Sequence, residues 1–223
     1  MMVKDSVWQE LYVFKEMKTQ LTKKAKAYCK ELLKASRCND FQFHNWKHTK
    51  DVVRNAIFIG ENEGVTNDTL EELIIAAYFH DLGNIKSVAG HEILSCYYAK
   101  EFLLSESFPE KKIDNVVNII KATQMPQQPV SVAQKVICDA DLAHLGKKNF
   151  ISKNKLLRKE WCEQCDMTFT DEQWLVMNIK FLKEHSFHTG FAQKHYNEQK
   201  IENLVILERA NARILNSDII END

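Results

Sequence analysis

The sequence predicts an all-α fold in a single domain, on three observations. Only 6 Gly and 3 Pro punctuate 223 residues, apolar residues recur at three- and four-residue spacing almost throughout, and no stretch reads as a strand. With 44% hydrophobic residues the chain is long enough for one substantial core. No repeat, low-complexity tract or linker divides it.

In chain order, a long opening helix is expected from about Asp5 to Ala35, then a short loop carrying "FHNWKH", and a second helix from about Lys47 to Glu63. "TNDTLEELIIAAYFHDLG" starts with capping residues, has Glu72 three after Thr69, and is expected to stop at Gly83, where a left-handed helix terminus suits glycine. Further helices are expected at about Ala89–Ser105, Pro109–Thr123 and Val132–Leu145, with Pro109 in a first turn and "QMPQQPV" as the clearest interhelical loop. From about Ile151 onward the pattern reads as three more helices.

Composition removes several function classes. Lys plus Arg is 30 against Asp plus Glu 31, so no global positive field exists to attract a nucleic acid polymer or an anionic membrane surface. Any phosphate binding must be local. The N-terminal stretch scatters charges through its apolar residues, giving neither a signal-peptide core nor a membrane-length run, and a cytoplasmic location is the expectation. Six cysteines are spread through helical patterns and are read as reduced thiols. Only "WCEQC" has metal-like spacing, and one C-x-x-C leaves a structural zinc site two ligands short.

The informative residues are acids and histidines on apolar stripes, where an unpaired polar group costs on the order of one to several kcal/mol. His48 lines up with Val52, Ala56 and Ile59 at helical spacing, so it points the way the core points. His80 continues the Leu73, Ala76, Ala77 stripe, and Asp81 continues Ile74 and Ala77. In "KVICDADLAHLG", Asp141 falls between Ile137 and Leu145, whereas Asp139 follows Lys135 around the polar side, so Asp141 is expected to be the buried carboxylate. Two imidazoles and two carboxylates from three helices make a nitrogen and oxygen set suited to Zn, Mn, Fe or Co. The end of the helix carrying His80 and Asp81 also favours a cation through its free carbonyls.

These residues, in "HTKDVV", "AAYFHDLG" and "ICDADLAHLG", resemble the H…HD…D signature of the HD-domain superfamily of metal-dependent phosphohydrolases. The resemblance covers roughly Phe41 to Gly146. It implies an all-helical domain spanning residues 1–223, with a metal core at about 41–146 and C-terminal helices at about 150–216. It further implies a divalent ion (Mn, Fe, Co, Zn, Ni or Mg; one, or two) on His48, His80, Asp81 and Asp141, with Asp81 catalytic as the bridge to a second metal. "HNWKH" resembles the H-N-x-x-H element of cyclic nucleotide phosphodiesterases, in which the first histidine protonates the leaving oxygen. That makes His44 the candidate acid, since a departing alkoxide needs a proton from a group whose pKa lies near the working pH.

There are departures. Branches acting on deoxynucleoside monophosphates or the guanosine alarmone carry an acid three or four positions after the His-Asp pair, where this chain has Asn84 and Ile85. The cyclic-dinucleotide branch has a lysine at the Asn84 position and later histidines without clear counterparts here. His91 reads either as a second-metal or supporting residue or as a plain helix N-terminal histidine. Lys147, Lys148, Lys155 and Arg158 are candidates for a phosphate clamp, Arg158 through its fork geometry, although a solvated helix face explains them nearly as well. His185, His188 and His195 are candidates for closing the pocket. The expectation is a metal-dependent phosphohydrolase acting on a small phosphorylated substrate, a nucleotide or similar, with a homodimer as one possible assembly. The rivals are a cyclic nucleotide phosphodiesterase and a non-catalytic metal-containing nucleotide sensor.

Overall fold

The computed structural model describes residues 19–165 and 167–220, with side chains through Ile214. Among them are nine α-helices and no strand: α1 (Gln20–Lys34), α2 (Trp46–Asn62), α3 (Asn67–Phe79), α4 (His91–Ser105), α5 (Glu110–Lys121), α6 (Val132–Leu142), α7 (Phe150–Gln164), α8 (Asp171–Glu184) and α9 (Gly190–Ile220). Short 3₁₀ turns follow α1, α3 and α6. The part of the expected opening helix before Thr19 lies outside the described residues. What is described begins where Thr19 Oγ1 accepts from the Thr22 amide at 3.1 Å, closing the first turn of α1.

α3 is the centre of the bundle. Leu70 and every residue from Glu72 to Phe79 are buried, as expected for a helix that is apolar on all sides, and α1, α2 and α5 pack around it. Its start is capped as read, by Thr66 accepting from Thr69 N at 3.2 Å, but Glu72 differs from a capping role: it is buried and accepts from Asn115 Nδ2 of α5 at 3.1 Å. Its end differs too. The helix stops at Phe79 with His80 as its cap, and Gly83 lies in the following 3₁₀ turn without a positive φ. Glycine is required there for another reason: a Cβ on Gly83 would stand 2.0 Å from the carbonyl oxygen of His91. α4 thus presses its first turn against the end of α3. Pro109 caps α5 from outside the helix rather than sitting in its first turn, and α6 ends at Leu142 before a 3₁₀ turn. The loop holding "QMPQQPV" separates α5 from α6, and three helices follow residue 150 as the pattern requires.

α9 closes the bundle against α8 and the 3₁₀ turn after α6. Its N-terminus is held by two carboxylates. Glu63 Oε1 accepts from Phe191 N at 2.6 Å; Asp139 accepts from His188 N at 2.8 Å, Thr189 N at 2.8 Å and Thr189 Oγ1 at 2.7 Å. This overturns one facing expectation: Asp139 is fully buried, whereas the Asp141 side chain keeps 20% exposure. The polar side of α6 faces not water but the polar start of another helix.

A prediction follows for the two aspartates. Asp139→Asn puts an amide N–H₂ against converging donors, so it is expected to lower stability by about 1–3 kcal/mol while bound metal is retained. Asp141→Asn is expected to do the opposite, losing metal with a small change in the stability of chelator-treated protein. Thermal denaturation and elemental analysis of both variants separate these effects. Metal loss in Asp139→Asn at unchanged stability would contradict the assignment.

Cys29, Cys38, Cys96 and Cys138 are buried, and Cys162 and Cys165 are half-buried at the end of α7. No helix among the described residues is long and apolar enough to cross a membrane.

Candidate metal centre and adjoining cavity

Three elements bring four side chains together. Asn45 opens α2: its Oδ1 accepts from Lys47 N at 2.8 Å and His48 N at 3.4 Å, and its Nδ2 donates to Phe41 O at 2.8 Å. That places His48 in the first turn, where its ring is 4% exposed. α3 delivers His80 and Asp81 at its carboxyl end, and α6 delivers Asp141 in its last turn. His48 Nε2 and His80 Nε2 are 3.4 Å apart. Asp81 Oδ2 lies 3.3 Å from the first and 3.1 Å from the second, and Asp141 Oδ1 lies 3.1 and 3.6 Å from them.

This set fits a divalent cation on the structure's own terms. His80 Nδ1 is 2.9 Å from Ala77 O, and a carbonyl only accepts, so Nδ1 carries the proton and Nε2 offers its lone pair inward. Asp81 Oδ2 is buried and makes no well-aligned hydrogen bond, its near neighbours being the ring nitrogens His48 Nε2 and His80 Nε2, an arrangement that an ion between them would satisfy. One donor atom from each of His48, His80 and Asp141 lies within 4.8 Å of the others; Asp81 falls outside this group of three, although its Oδ2 is near both imidazoles. Donors held about 2.1 Å from one ion sit roughly 3.0–3.4 Å apart, close to the spacings here.

Without an ion, the four groups instead satisfy one another as imidazolium–carboxylate pairs. Burial alone pushes Asp81 up and the two histidines down, but the mutual charge and hydrogen bonds win. Asp81 and Asp141 are held well below the carboxylate range, and His48 and His80 are raised. The pocket therefore favours anionic oxygen beside whatever positive charge is present. On the other side of Asp81, Oδ1 lies 3.2 Å from His91 Nε2, while His91 Nδ1 faces Val88 O at 2.9 Å. Burial lowers His91, but Asp81 outweighs it and brings it up to about 9. The close approach of α4 at Gly83 is what sets His91 there.

A cavity of about 350 Å³ opens from this cluster, with Asp81, Asp141, His44 and His91 at its polar end. His44 is held by a residue sequence reasoning missed, Glu160 of α7. Glu160 Oε2 accepts from the amides of Phe43 at 2.6 Å and His44 at 2.9 Å, and its Oε1 contacts His44 Nδ1. Burial raises Glu160, but these hydrogen bonds hold it below the usual carboxylate range. His144, one turn after Asp141, was also missed. It lines the cavity between Phe43 and Phe150, and burial together with the charge on His48 lowers it to about 3.

Other expected site residues lie elsewhere. Lys147 Nζ donates to Asn55 Oδ1 at 2.6 Å, and burial lowers it to about 8. Arg158 donates to Asp171 at 2.6 Å and to Phe169 O at 2.5 Å, tying α7 to the start of α8. Neither is among the residues that line the cavity. Lys148 and Lys155 are exposed and do not line it either. Asn84 is 2% exposed and is not among the residues that line it. His185 and His195 pack on Phe187 and on Phe58 and Phe191, His188 gives its amide to Asp139, and none of the three is among the residues that line the cavity.

Comparison with known proteins agrees with this architecture. Residues 45–145 match the family model of the HD domain. Bacillus subtilis YpgQ has a similar fold, at TM-score 0.64 and 18% identity over 87% of this chain and 96% of that one. The structure of YpgQ in complex with ADP gives TM-score 0.61 and 19% identity over 89% and 95%. A predicted HD superfamily hydrolase from an uncultured Thermotogales bacterium gives TM-score 0.58 and 19% identity over 86% and 91%. No curated protein sequence matches the chain.

Proposed function

The chain carries an HD domain at residues 45–145, and from that premise we propose that it is a metal-dependent phosphohydrolase cleaving a phosphate ester of a nucleotide or similar small molecule. The observation that carries this reading is the convergence of two imidazole Nε2 atoms and two carboxylate oxygens, 3.1–3.6 Å across each imidazole–carboxylate pair, at the head of a cavity that also holds His44. His48, His80, Asp81 and Asp141 would hold the ion. A divalent cation bound there supplies Lewis-acid chemistry, polarising the phosphoryl group and acidifying water.

The chain's own groups do the rest. Asp81 and Asp141 keep their oxygens deprotonated, His91 steadies Asp81 Oδ1, and the imidazole of His44 reaches the cavity with its Nδ1 side fixed by Glu160. A protonated His44 would hand its other N–H to the leaving oxygen. Nucleotide substrates are suggested by the fold's likeness to YpgQ, which has been seen with ADP.

A cyclic nucleotide phosphodiesterase is the second reading, favoured by His44 lying beside the metal ligands with its ring braced. A nucleotide sensor without turnover was motivated by the absence of an acid after Asp81. That motive weakens because the Asn84 position does not line the cavity. The test is turnover of nitrophenyl phosphate and bis-nitrophenyl phosphate by metal-stripped protein restored with Mn²⁺, Co²⁺, Zn²⁺ or Mg²⁺, beside equilibrium nucleotide binding. Metal-dependent cleavage of the monoester supports the proposal, and preference for the diester supports the second reading. Tight nucleotide binding with no turnover under any metal would refute both.

A further inference from the structure

The far wall of the cavity is built by α7 and α8, beyond residue 145 where the HD domain ends, from Phe150, Leu157, Trp161, Trp174, Met177 and Phe181. Among the described residues, no lysine or arginine lines it. Lys153 and Arg158 stand behind its rings and are already paired, Lys153 over Phe43 with Asp51 and Arg158 over Trp174 with Asp171, while His44 and His91 sit at the metal end. Its carboxylates are Asp81, Asp141 and Glu92. The two amides in the wall are turned onto their neighbours: Asn154 Oδ1 accepts from Trp174 Nε1 at 2.6 Å, Asn154 Nδ2 donates to Asn178 Oδ1 at 2.5 Å, and Asn178 Nδ2 donates to Trp174 O at 2.7 Å.

Binding a chain of phosphates ordinarily requires lysine or arginine forks along it, and reading a base edge requires polar groups free to pair. Among the described residues this cavity has no such fork, and the two amides of its far wall are already paired with their neighbours. Its one place for negative charge is the metal end, and Glu92 repels a second phosphate. The remainder is an aromatic and aliphatic slot of a size that takes a small molecule. We propose that the cavity selects an ester carrying a single phosphate on a planar, apolar organic group, and disfavours nucleoside di- and triphosphates. This rests on the phosphohydrolase reading for the chemistry at the metal end and takes its small-molecule arm over its nucleotide arm, while the selection belongs to α7 and α8.

The test is calorimetric binding to the full chain loaded with Mn²⁺, using phosphonates that cannot be hydrolysed. 1-Naphthylmethylphosphonate is expected to bind on the order of 100-fold more tightly than methylphosphonate, the gain from burying one aromatic ring system, and more tightly than ADP. Leu157→Arg, which adds a cation to the wall, is expected to weaken the naphthyl ligand at least tenfold and to strengthen ADP. Met177→Trp, which fills the slot, is expected to weaken the naphthyl ligand alone, and serves if the arginine variant does not fold. Equal affinity for the two phosphonates, or tighter binding of ADP by the unmodified protein, would overturn the proposal. Selective naphthyl binding without turnover of 1-naphthyl phosphate under any metal would leave the slot standing and remove the hydrolase reading instead.

Discussion

His80→Ala and Asp81→Ala proteins are expected to purify with metal at background, against about one equivalent in the unmodified chain, and without phosphatase activity. Each substitution removes one of the converging donors, and His80 is fully buried with its ring held by the Ala77 carbonyl so that Nε2 faces the cluster. Much of the helical content should remain, because the α3 face inward of these residues is held by Leu73, Ala76 and Ala77 rather than by the ion. Stability should nonetheless fall. A ligand present at about 100 times its dissociation constant stabilises the native state by roughly 2.7 kcal/mol, and this part disappears with the metal. Chelator-stripped unmodified protein should therefore melt close to the variants. His91→Ala, which removes only the neighbour of Asp81 Oδ1, is expected to weaken metal affinity by the roughly 10–100-fold typical of residues that support a ligand. Elemental analysis decides the matter: full metal retention in either alanine variant would show that the ligand assignment is wrong.

His44→Ala should keep its metal and most of its substrate affinity, yet lose roughly 10²–10⁴-fold in rate on an alkyl or ribose ester. The loss should depend on the leaving group, since nitrophenolate departs as a stable anion and needs little protonation. Measuring both substrates on one variant cancels general damage to the fold. Glu160→Gln should reproduce this pattern in weaker form. The amide keeps an oxygen that can accept from the Phe43 and His44 amides but loses the charge that braces Nδ1. A uniform loss on both substrates would assign His44 to positioning, and loss of metal would make it a ligand.

Much of this arrangement is legible without coordinates, for a specific reason. Helical period reports which way a side chain points relative to its own helix, and the stripes through Val52, Ala56 and Ile59 and through Leu73, Ala76 and Ala77 are strong enough to aim His48 and His80 inward. Glu160 shows the limit. It sits in the charged α7 with nothing nearby to mark it, and its task depends on a loop 116 residues away in the chain. Lys147 and Arg158 show the same limit from the other side, because free-looking cations find Asn55 and Asp171 only when the chain folds.

By itself, the sequence determined the all-α class, the helix order after Thr19, and the inward aim of the histidines and of Asp81, since all of these follow from local periodicity and from glycine and proline punctuation. The tertiary structure decided what covers each face. It buried Asp139 under the start of α9, left Asp141 at the rim of a cavity, braced His44 with Glu160, and built an uncharged aromatic wall from α7 and α8. Whether a polar side of a helix meets water or another helix is set by long-range packing, and the energy of burying a carboxylate depends on donors that only that packing brings within reach.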